Sequence, residues 1–429
     1  MKKDEKIIYS AVLISLLPFT YLFTKSGSLN NDLIYTIGNV SGYMGAIFLL
    51  WEFVLGNRTI TKFFNPDYTL SIRIHIVLGV YGAALILVHP ILEMLAYLQN
   101  LAFIFIPSLA SSIDLYYTYG RIAFLLFLLT WVTSTLARDK IKYRPWLYIH
   151  YVTYPLMALV FLHALKIGTF FNAFVWLNTY WYFLALTFIA VLIIRVLEIL
   201  NLLKNRYVVV RNELASDNIW LLRIKPIGGF NVPNVGQFFY IKKSFIGESH
   251  PFSVTEFDES TGYMTFGYEA IGKFTNALSG VKPGQALYLD GPYGSFTKEG
   301  HDKDSAKIVI AGGIGVTPFV ELIRRYSGEK TYLFYCNRYF KNAVYHNEFQ
   351  QILGMRYFDL ISREKVSISD CVLNCRFSLE VMKQLLPEDV YNTAKIFICG
   401  SPTFVDGITQ TLQDGGVEAE RIFFEDLGF

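Results

Sequence analysis

IHIVLGVYGAALILVHP, residues 74–90, is apolar enough to lie in lipid, yet it carries His75 near its start and His89 near its end. An imidazole inside a bilayer is costly unless it has a partner. What the two histidines meet therefore decides the architecture. Six apolar stretches are long enough to cross a hydrocarbon layer as helices, which takes about 20 residues each. They run 7–24, 33–55, 72–97, 119–137, 145–166 and 178–202. The first follows MKKDEK and has no small-residue cleavage site, so it reads as a retained helix rather than a removed signal.

Of the 429 residues, 53% are hydrophobic and 17% are charged, below the roughly 25% charge of a typical soluble protein. The average conceals two halves. Residues 1–203 hold the long apolar runs, whereas 204–429 have ordinary soluble composition and most of the Gly-Pro punctuation. Basic residues set an orientation. Lys2, Lys3 and Lys6, then Arg58 and Lys62, then Arg138, Lys140, Lys142 and Arg144, then Lys204 and Arg206 fall in alternate segments; the other loops hold only Lys25 and Lys166. Because Lys and Arg accumulate on the cytoplasmic side, the sequence predicts a multi-pass protein of the cell (plasma) membrane with N- and C-termini cytoplasmic. The net charge of +3 comes without a basic run interleaved with aromatics, which excludes a nucleic-acid surface. Cys336, Cys371, Cys375 and Cys399 are too scattered for a disulfide framework and suit a reducing compartment. Cys371 and Cys375 have no second pair with which to bind zinc.

The fifth span, PWLYIHYVTYPLMALVFLHALKIG (145–168), carries His150 and His163. These four are the only histidines of the membrane half. A lone membrane histidine usually bonds a neighbouring helix, but two helices that each carry a near-matched pair suggest shared ligands. At a rise of about 1.5 Å per residue, each pair is separated by roughly 20 Å. Spans three and five run in the same direction, so His75 meets His150 at one level and His89 meets His163 at the other. Two facing imidazoles at each level suit the two axial positions of a haem iron, and two b-type haems stacked across the membrane are expected. Bare metal ions would remain under-coordinated with two imidazoles. One detail resists. Fourteen residues at about 100° each return to nearly the same helix face, but thirteen miss it by well over 90°. Pro155 lies between His150 and His163 and is expected to kink or rewind the helix there.

From about 207 the pattern changes. RYVVVRN, NIWLLRI and GQFFYIKK are short strand-like runs separated by turn residues, which suits an antiparallel barrel. From about 305 strands and helices alternate, as in KIVIAG, GGIGVTPFVELIRRY and TYLFYCN, then AKIFICG and TFVDGITQTLQ. That alternation suits a doubly wound α/β domain. AGGIGVTPF, residues 311–319, sits between strand and helix. Gly312, Gly313 and Gly315 allow close backbone approach, Pro318 suits a first helical turn, and a helix start offers N–H groups to a phosphate. A purely structural glycine turn is the other reading of the same loop.

His250-Pro251-Phe252-Ser253, GYEAIGKFTNAL (267–278), DGPYG (290–294), AGGIGVTPF, ICGSP (398–402) and a terminal Phe429 follow one another along the chain. With the upstream histidine pairs, they resemble the NADPH oxidase and ferric reductase transmembrane superfamily, bacterial NADPH oxidase-like (NOX-like) members above all, over nearly the whole length. The resemblance implies a six-helix transmembrane bundle of ferric-reductase-like type (1–203, di-haem). A ferredoxin-reductase-like dehydrogenase would follow, comprising an antiparallel β-barrel that binds FAD (204–300) and an α/β doubly wound nucleotide-binding domain for NADPH (301–429). It also implies roles. His250 would contact the FAD pyrophosphate region, Phe252 would pack on the isoalloxazine and Ser253 would lie near its reactive edge. Pro251, Thr255, Gly272, Phe274, Gly291 and Gly294 complete the FAD motifs, and Thr275 would bond the FAD phosphates from a helix start, where an N-cap is the alternative. Gly312, Gly313, Gly315, Thr317 and Pro318 would line the NADPH phosphate site. Arg338 falls where the 2′-phosphate is bound, which favours NADPH over NADH. Cys399 and Gly400 would sit by the nicotinamide, and Phe429 would stack on the flavin ring.

The implied function is electron transfer across a membrane, from cytosolic NAD(P)H through FAD and two b-type haems to extracellular O₂, giving superoxide. A ferric chelate is the alternative acceptor, and a haem subunit relaying electrons to a protein partner is the second alternative. Eukaryotic NADPH oxidases place an Arg on span two and a second His one turn after the outer His of span three. Here Glu93 holds that second position, and Leu33–Asn39 contains no Arg. With no EF-hand loop in the sequence, activity without calcium or an obligate protein activator is expected. Membrane lipid is the other expected partner.

Overall fold

Small residues let two apolar helices approach closely in lipid, where water supplies no hydrophobic drive between them. The second and third long helices use this. Gly42, Gly45 and Gly56 on α2 (Leu33–Leu55) and the turn after it stand against His89, Ile86 and His75 on α3 (Tyr68–Ala96). Gly79 of α3 stands in turn against Glu52 of α2. Residue numbers rise along one helix as they fall along the other, so the two are antiparallel with one register throughout. The contacts are tight: a Cβ at Gly42 would lie 2.7 Å from the His89 ring, and one at Gly45 would lie 2.8 Å from Ile86. A fourth helix, α4 (Ser112–Ser134), is N-capped by the Ser111 hydroxyl accepting from the Asp114 N–H at 3.2 Å. It repeats the device against the fifth span, with Gly120 against His163.

The computed structural model describes residues 3–25, 33–62, 68–168, 171, 174–245, 247–366 and 371–424. Among the described residues, five helical segments are long and apolar enough to cross a membrane: Leu33–Leu55, Tyr68–Ala96, Ser112–Ser134, Tyr143–Ile167 and Val175–Ile199. The first expected span is the equally long α1 (Lys3–Lys25), packed through Ile8, Val12, Leu16 and Phe19. The fifth span is two helices, α5 (Tyr143–His150) and α6 (Thr153–Ile167), followed by α7 (Val175–Ile199). The break falls at Tyr151 and Val152, earlier than the Pro155 position expected from sequence. Pro155 is the third residue of α6, where its missing N–H costs least. Val152 N–H donates to Ile149 C=O and Tyr154 N–H to Tyr151 C=O, both three residues back. These tightened steps change the helical phase between His150 and His163.

The chain divides into two compact units, Met1–Val196 and Leu197–Phe429. The division precedes the expected boundary at 203 because Asn201 is bound into the second unit. Its side-chain amide donates to Phe245 C=O at 2.7 Å, and its Oδ1 accepts from Lys204 and Lys242, each at 2.9 Å.

The second unit opens with a closed antiparallel barrel of order β1-β2-β5-β4-β3-β6. Its strands are β1 (Asn205–Ser216), β2 (Ile219–Pro226), β3 (Phe238–Lys242), β4 (Ser249–Phe257), β5 (Met264–Glu269) and β6 (Ala286–Tyr293). Tyr207, Leu222, Phe239, Phe266 and Leu289 fill its interior. A sheet of order β10-β9-β8-β7-β11-β12 follows. It comprises β7 (Lys307–Gly312), β8 (Thr331–Asn337), β9 (Tyr357–Ile361), β10 (Val372–Leu373), β11 (Lys395–Cys399) and β12 (Ile422–Phe424), all parallel. Strands such as β7 and β8 are buried almost throughout, as expected of a parallel sheet covered on both faces. Arg324, on α9 (Val320–Tyr326), ties the sheet to the barrel through Thr255 C=O at 3.2 Å and the Glu256 carboxylate at 3.3 Å.

If the α2–α3 seam sets the bundle, Gly45→Val will force the helices apart at about 1–3 kcal/mol of overpacking. The midpoint of the membrane transition in detergent will fall. Gly407→Ala, whose added Cβ meets nothing within 4 Å, lies in an exposed helix and will leave that transition unchanged.

Candidate functional sites

The four membrane histidines come together as two pairs. His75 and His150 lie with ring centroids 6.3 Å apart, and His89 and His163 with theirs 6.4 Å apart. An iron bound by two imidazole nitrogens at about 2 Å each, with each centroid roughly 1.2 Å behind its nitrogen, separates the rings by about 6.4 Å. Both pairs match that distance.

The outer nitrogens support the same arrangement. Nδ1 of His75 is 3.1 Å from Glu52 C=O, Nδ1 of His89 is 2.8 Å from Gly38 C=O, and Nδ1 of His163 is 2.8 Å from Tyr116 C=O. Nδ1 of His150 is 3.4 Å from the Ser134 hydroxyl. An Nδ1 held by an acceptor leaves Nε2 for a metal and fixes the tautomer, as is usual for metal-bound histidine. Trp146 stacks on the His150 ring at 5.0 Å and donates its indole N–H to Ser134 at 3.2 Å. The donor set, the spacing and the glycine cradles under His89 and His163 thus all fit a haem iron between each pair.

A cavity of about 1220 Å³, including its part open to solvent, extends from His89 and His163. Its polar wall is Tyr35, Asn39, Glu93, Tyr97, Tyr117 and Arg121. Arg121 Nε donates to Phe103 C=O at 2.6 Å and its guanidinium lies 5.2 Å from the Phe103 ring, while one terminal nitrogen, Nη1, is buried without a hydrogen-bond partner among the described residues. Arg121 and Glu52 were not singled out from sequence. The available signal was a charged residue inside an apolar span, which is expensive there and therefore usually functional.

In the barrel, the HPFS strand alternates its faces. His250 and Phe252 lie beside Phe274, with ring centroids 4.3 and 6.1 Å away. Phe252 is nine-tenths buried and packs edge-on against Tyr268. Pro251 and Ser253 take the other face, opposite Tyr240 and Phe238 of β3. Thr255 is corrected outright. It is fully buried, its hydroxyl donates to Thr265 C=O at 3.0 Å, and the bulge between Val254 and Glu256 turns it away from Ser253's face. It anchors the barrel to Arg324 and has no surface to offer a cofactor. Thr275 is also not an N-cap. Gly272 caps the helix α8 (Lys273–Ser279), and the Thr275 hydroxyl accepts from the Gly272 and Ile271 N–H groups at 2.9 and 3.1 Å. Gly291 lies within β6 and Gly294 directly after it, their carbonyls accepting from the Asn231 and Gln237 side chains.

The sheet reverses its winding between β7 and β11, because β8 to β10 extend to one side of β7 and β11 and β12 to the other. Ligands of doubly wound sheets bind at the carboxyl ends of strands at such a switch point. Both glycine loops are there. A Cβ at Gly315 would lie 2.6 Å from Cys399 C=O and 2.7 Å from Gly400 Cα, so only glycine lets the two loops meet. Gly313 adopts φ +55°, a left-handed conformation natural to glycine. AGGIGVTPF does not open directly into an α-helix. Gly313–Phe319, including Thr317 and Pro318, is a 3₁₀ turn, and α9 starts only at Val320. Gly312 and Gly400 both pack on Phe404, Cys399 ends β11 half-buried, and Arg338 is exposed just after β8. Phe429 lies outside the described residues.

Residues 41–161 match the ferric reductase like transmembrane component family, and residues 309–410 match the oxidoreductase NAD-binding domain. Joined in this order, they give a ferric-reductase-like transmembrane component followed by an oxidoreductase NAD-binding domain. This order of domains is consistent with the NADPH oxidase and ferric reductase superfamily. Ferric reduction oxidase 5 of Arabidopsis thaliana is 26% identical over 366 residues, which cover 81% of this chain and 47% of the relative. The reductase component of propane 2-monooxygenase from Rhodococcus jostii is 26% identical over 233 residues, covering 51% and 62%. The chain spans about half the length of the curated relatives it matches. Among solved structures, the ferredoxin reductase in carbazole 1,9a-dioxygenase is 20% identical with a TM-score of 0.44, covering 52% of this chain and 68% of that one. The ferredoxin NADP+ reductase from Neisseria gonorrhoeae with bound FAD and NADP is 16% identical with a TM-score of 0.43, covering 52% and 98%.

Gly120→Ala tests the outer pair. Its methyl would stand 2.4 Å from the His163 ring, so the ring must leave its position. The purified variant will lose about half of the b-type haem absorbance, and an unchanged reduced-minus-oxidised spectrum would contradict the assignment.

Proposed function

We propose that the chain is a transmembrane NAD(P)H oxidase that draws on cytosolic NAD(P)H, uses FAD and two b-type haems, and delivers single electrons to O₂ outside the cell, forming superoxide. The observation that carries this reading is the pairing of His75 with His150 and His89 with His163 at haem-ligand spacing. When bound, FAD accepts two electrons as a hydride and releases them singly, and bis-histidine haems exchange one electron each. The alternation of Lys and Arg supports a cell-membrane location with both termini in the cytoplasm.

The polypeptide's own part is positioning. Gly313 and Gly315 lie where their loop meets Cys399 and Gly400, beside which the nicotinamide nucleotide's pyrophosphate and ring would lie. Exposed Arg338 is placed to favour a 2′-phosphate, hence NADPH. His250 and Phe274 offer a stacked aromatic edge beside the FAD motif, and Pro251 and Ser253 face the other side of that strand. In the membrane half, His89 and His163 would occupy both axial positions, so an acceptor is held by the protein alone. The cavity beside them, lined by Tyr97, Tyr117 and Arg121, is the place for it. The built-in nucleotide domain supports activity without a protein activator.

Ferric chelate reduction is the second reading. Glu93 and Arg121 on the cavity wall favour it, since charged groups there would hold a charged chelate better than O₂. To separate the two, the purified full chain is reduced anaerobically with NADPH and mixed with air-saturated buffer or with ferric citrate. The oxidase reading predicts faster haem reoxidation by O₂ and cytochrome c reduction that superoxide dismutase abolishes. Slow reoxidation by O₂ beside rapid reoxidation by ferric citrate would establish the second reading.

A further inference from the structure

The two histidine pairs differ in what stands behind them. At the outer pair both Nδ1 atoms meet backbone carbonyls, those of Gly38 and Tyr116. Glu93 is nearby, but its Oε1 is 3.9 Å from His89 Nδ1, beyond hydrogen-bond range. At the inner pair His75 Nδ1 lies 3.0 Å from Glu52 Oε2 and 3.1 Å from Glu52's own carbonyl oxygen. The Glu52 side chain is 16% exposed, in the last turn of apolar α2. Its second oxygen, Oε1, is buried without a hydrogen-bond partner among the described residues. Room for the carboxylate comes from Gly79, where a Cβ would stand 3.3 Å from Oε2. A buried carboxylate in a membrane span is costly and is kept where it acts on a specific partner; its one close contact here is a histidine ring.

We propose that Glu52 is a positioning residue that lowers the reduction potential of the haem held by His75 and His150, making it the lower-potential station of the two. The inference rests on reading the four histidines as haem ligands. An imidazole whose Nε2 serves iron keeps its proton on Nδ1, so His75 Nδ1 donates and Glu52 accepts. A carboxylate acceptor raises the basicity of the ligand more than a carbonyl does. It also places negative charge beside the iron, which favours the ferric over the ferrous state. The outer pair has only carbonyls in hydrogen-bond contact and receives less of either effect. One electron moves per transfer, and the Nδ1 proton stays on His75. Since electrons run spontaneously from lower to higher potential, the asymmetry directs them from the His75–His150 level to the His89–His163 level.

A spectroelectrochemical titration of the purified full chain tests this. The wild type should resolve two haem components. Glu52→Gln keeps the side chain's shape and removes its charge; it should move the lower component upward and leave the upper one in place. Gly79→Ala displaces the carboxylate without removing it. It should move the same component in the same direction by less, and it keeps the question open to measurement if Glu52→Gln fails to assemble. A lower component that stays put in both variants, or a shift confined to the upper one, overturns the proposal. A wild type with no b-type haem would instead overturn the ligand reading itself, so the two failures are told apart by the unmutated protein.

Discussion

The close antiparallel contact of α2 with α3 is the constraint on which the membrane half depends. Apolar side chains gain nothing from each other in lipid that they do not gain from acyl tails. Glycines at 38, 42 and 79 instead bring backbone within reach of the imidazole and carboxylates facing them, and Gly45 admits Ile86. That closeness gives His89 its bond to Gly38 C=O and His75 its bonds to Glu52. With Nδ1 satisfied from α2, the rings of His75 and His89 stand 6.3 and 6.4 Å from those of His150 and His163 on the fifth span. The mirror device on α4, Gly120 under His163 with Tyr116 C=O as acceptor, completes the outer level. A buried polar ring is tolerable only when its donors and acceptors are matched, and here the matching engages Nδ1 of each ring.

The second unit solves a different problem with the same residue type. Where β7 and β11 lie side by side, their following loops must cross at close range, and Gly315 against Cys399 and Gly400 is what lets them. These loops meet at the strand-order reversal, the place where doubly wound sheets bind their ligands. Arg324, bound to Glu321, Glu348, Glu256 and the Thr255 carbonyl, fixes barrel and sheet together on the neighbouring side.

Much of this was legible in the sequence, for identifiable reasons. The apolar runs, the alternation of Lys and Arg and the two histidine pairs are one-dimensional signals, since helix rise alone converts spacing into depth. The barrel and the doubly wound sheet followed from strand periodicity, and the glycine loops from composition. What was not legible needed packing. The phase conflict between His150 and His163 was visible, but its resolution at Tyr151–Val152 rather than at Pro155 depends on where the local hydrogen bonds shorten to three residues. Thr255 looked like a motif residue until the bulge beside it turned its hydroxyl inward. Glu52 lies 23 residues from His75 in sequence, and no pattern within one helix pairs them; only the α2–α3 register does.

The central claim is that each histidine pair closes on one iron, so that one chain carries two haems with both axial positions filled by imidazole. The most direct measurement is haem stoichiometry by pyridine haemochromogen assay together with the electron paramagnetic resonance spectrum of the oxidised full chain. The account predicts two b-type haems per chain, both low-spin with bis-imidazole signatures. A single haem per chain, or a high-spin ferric signal from either level, would contradict it.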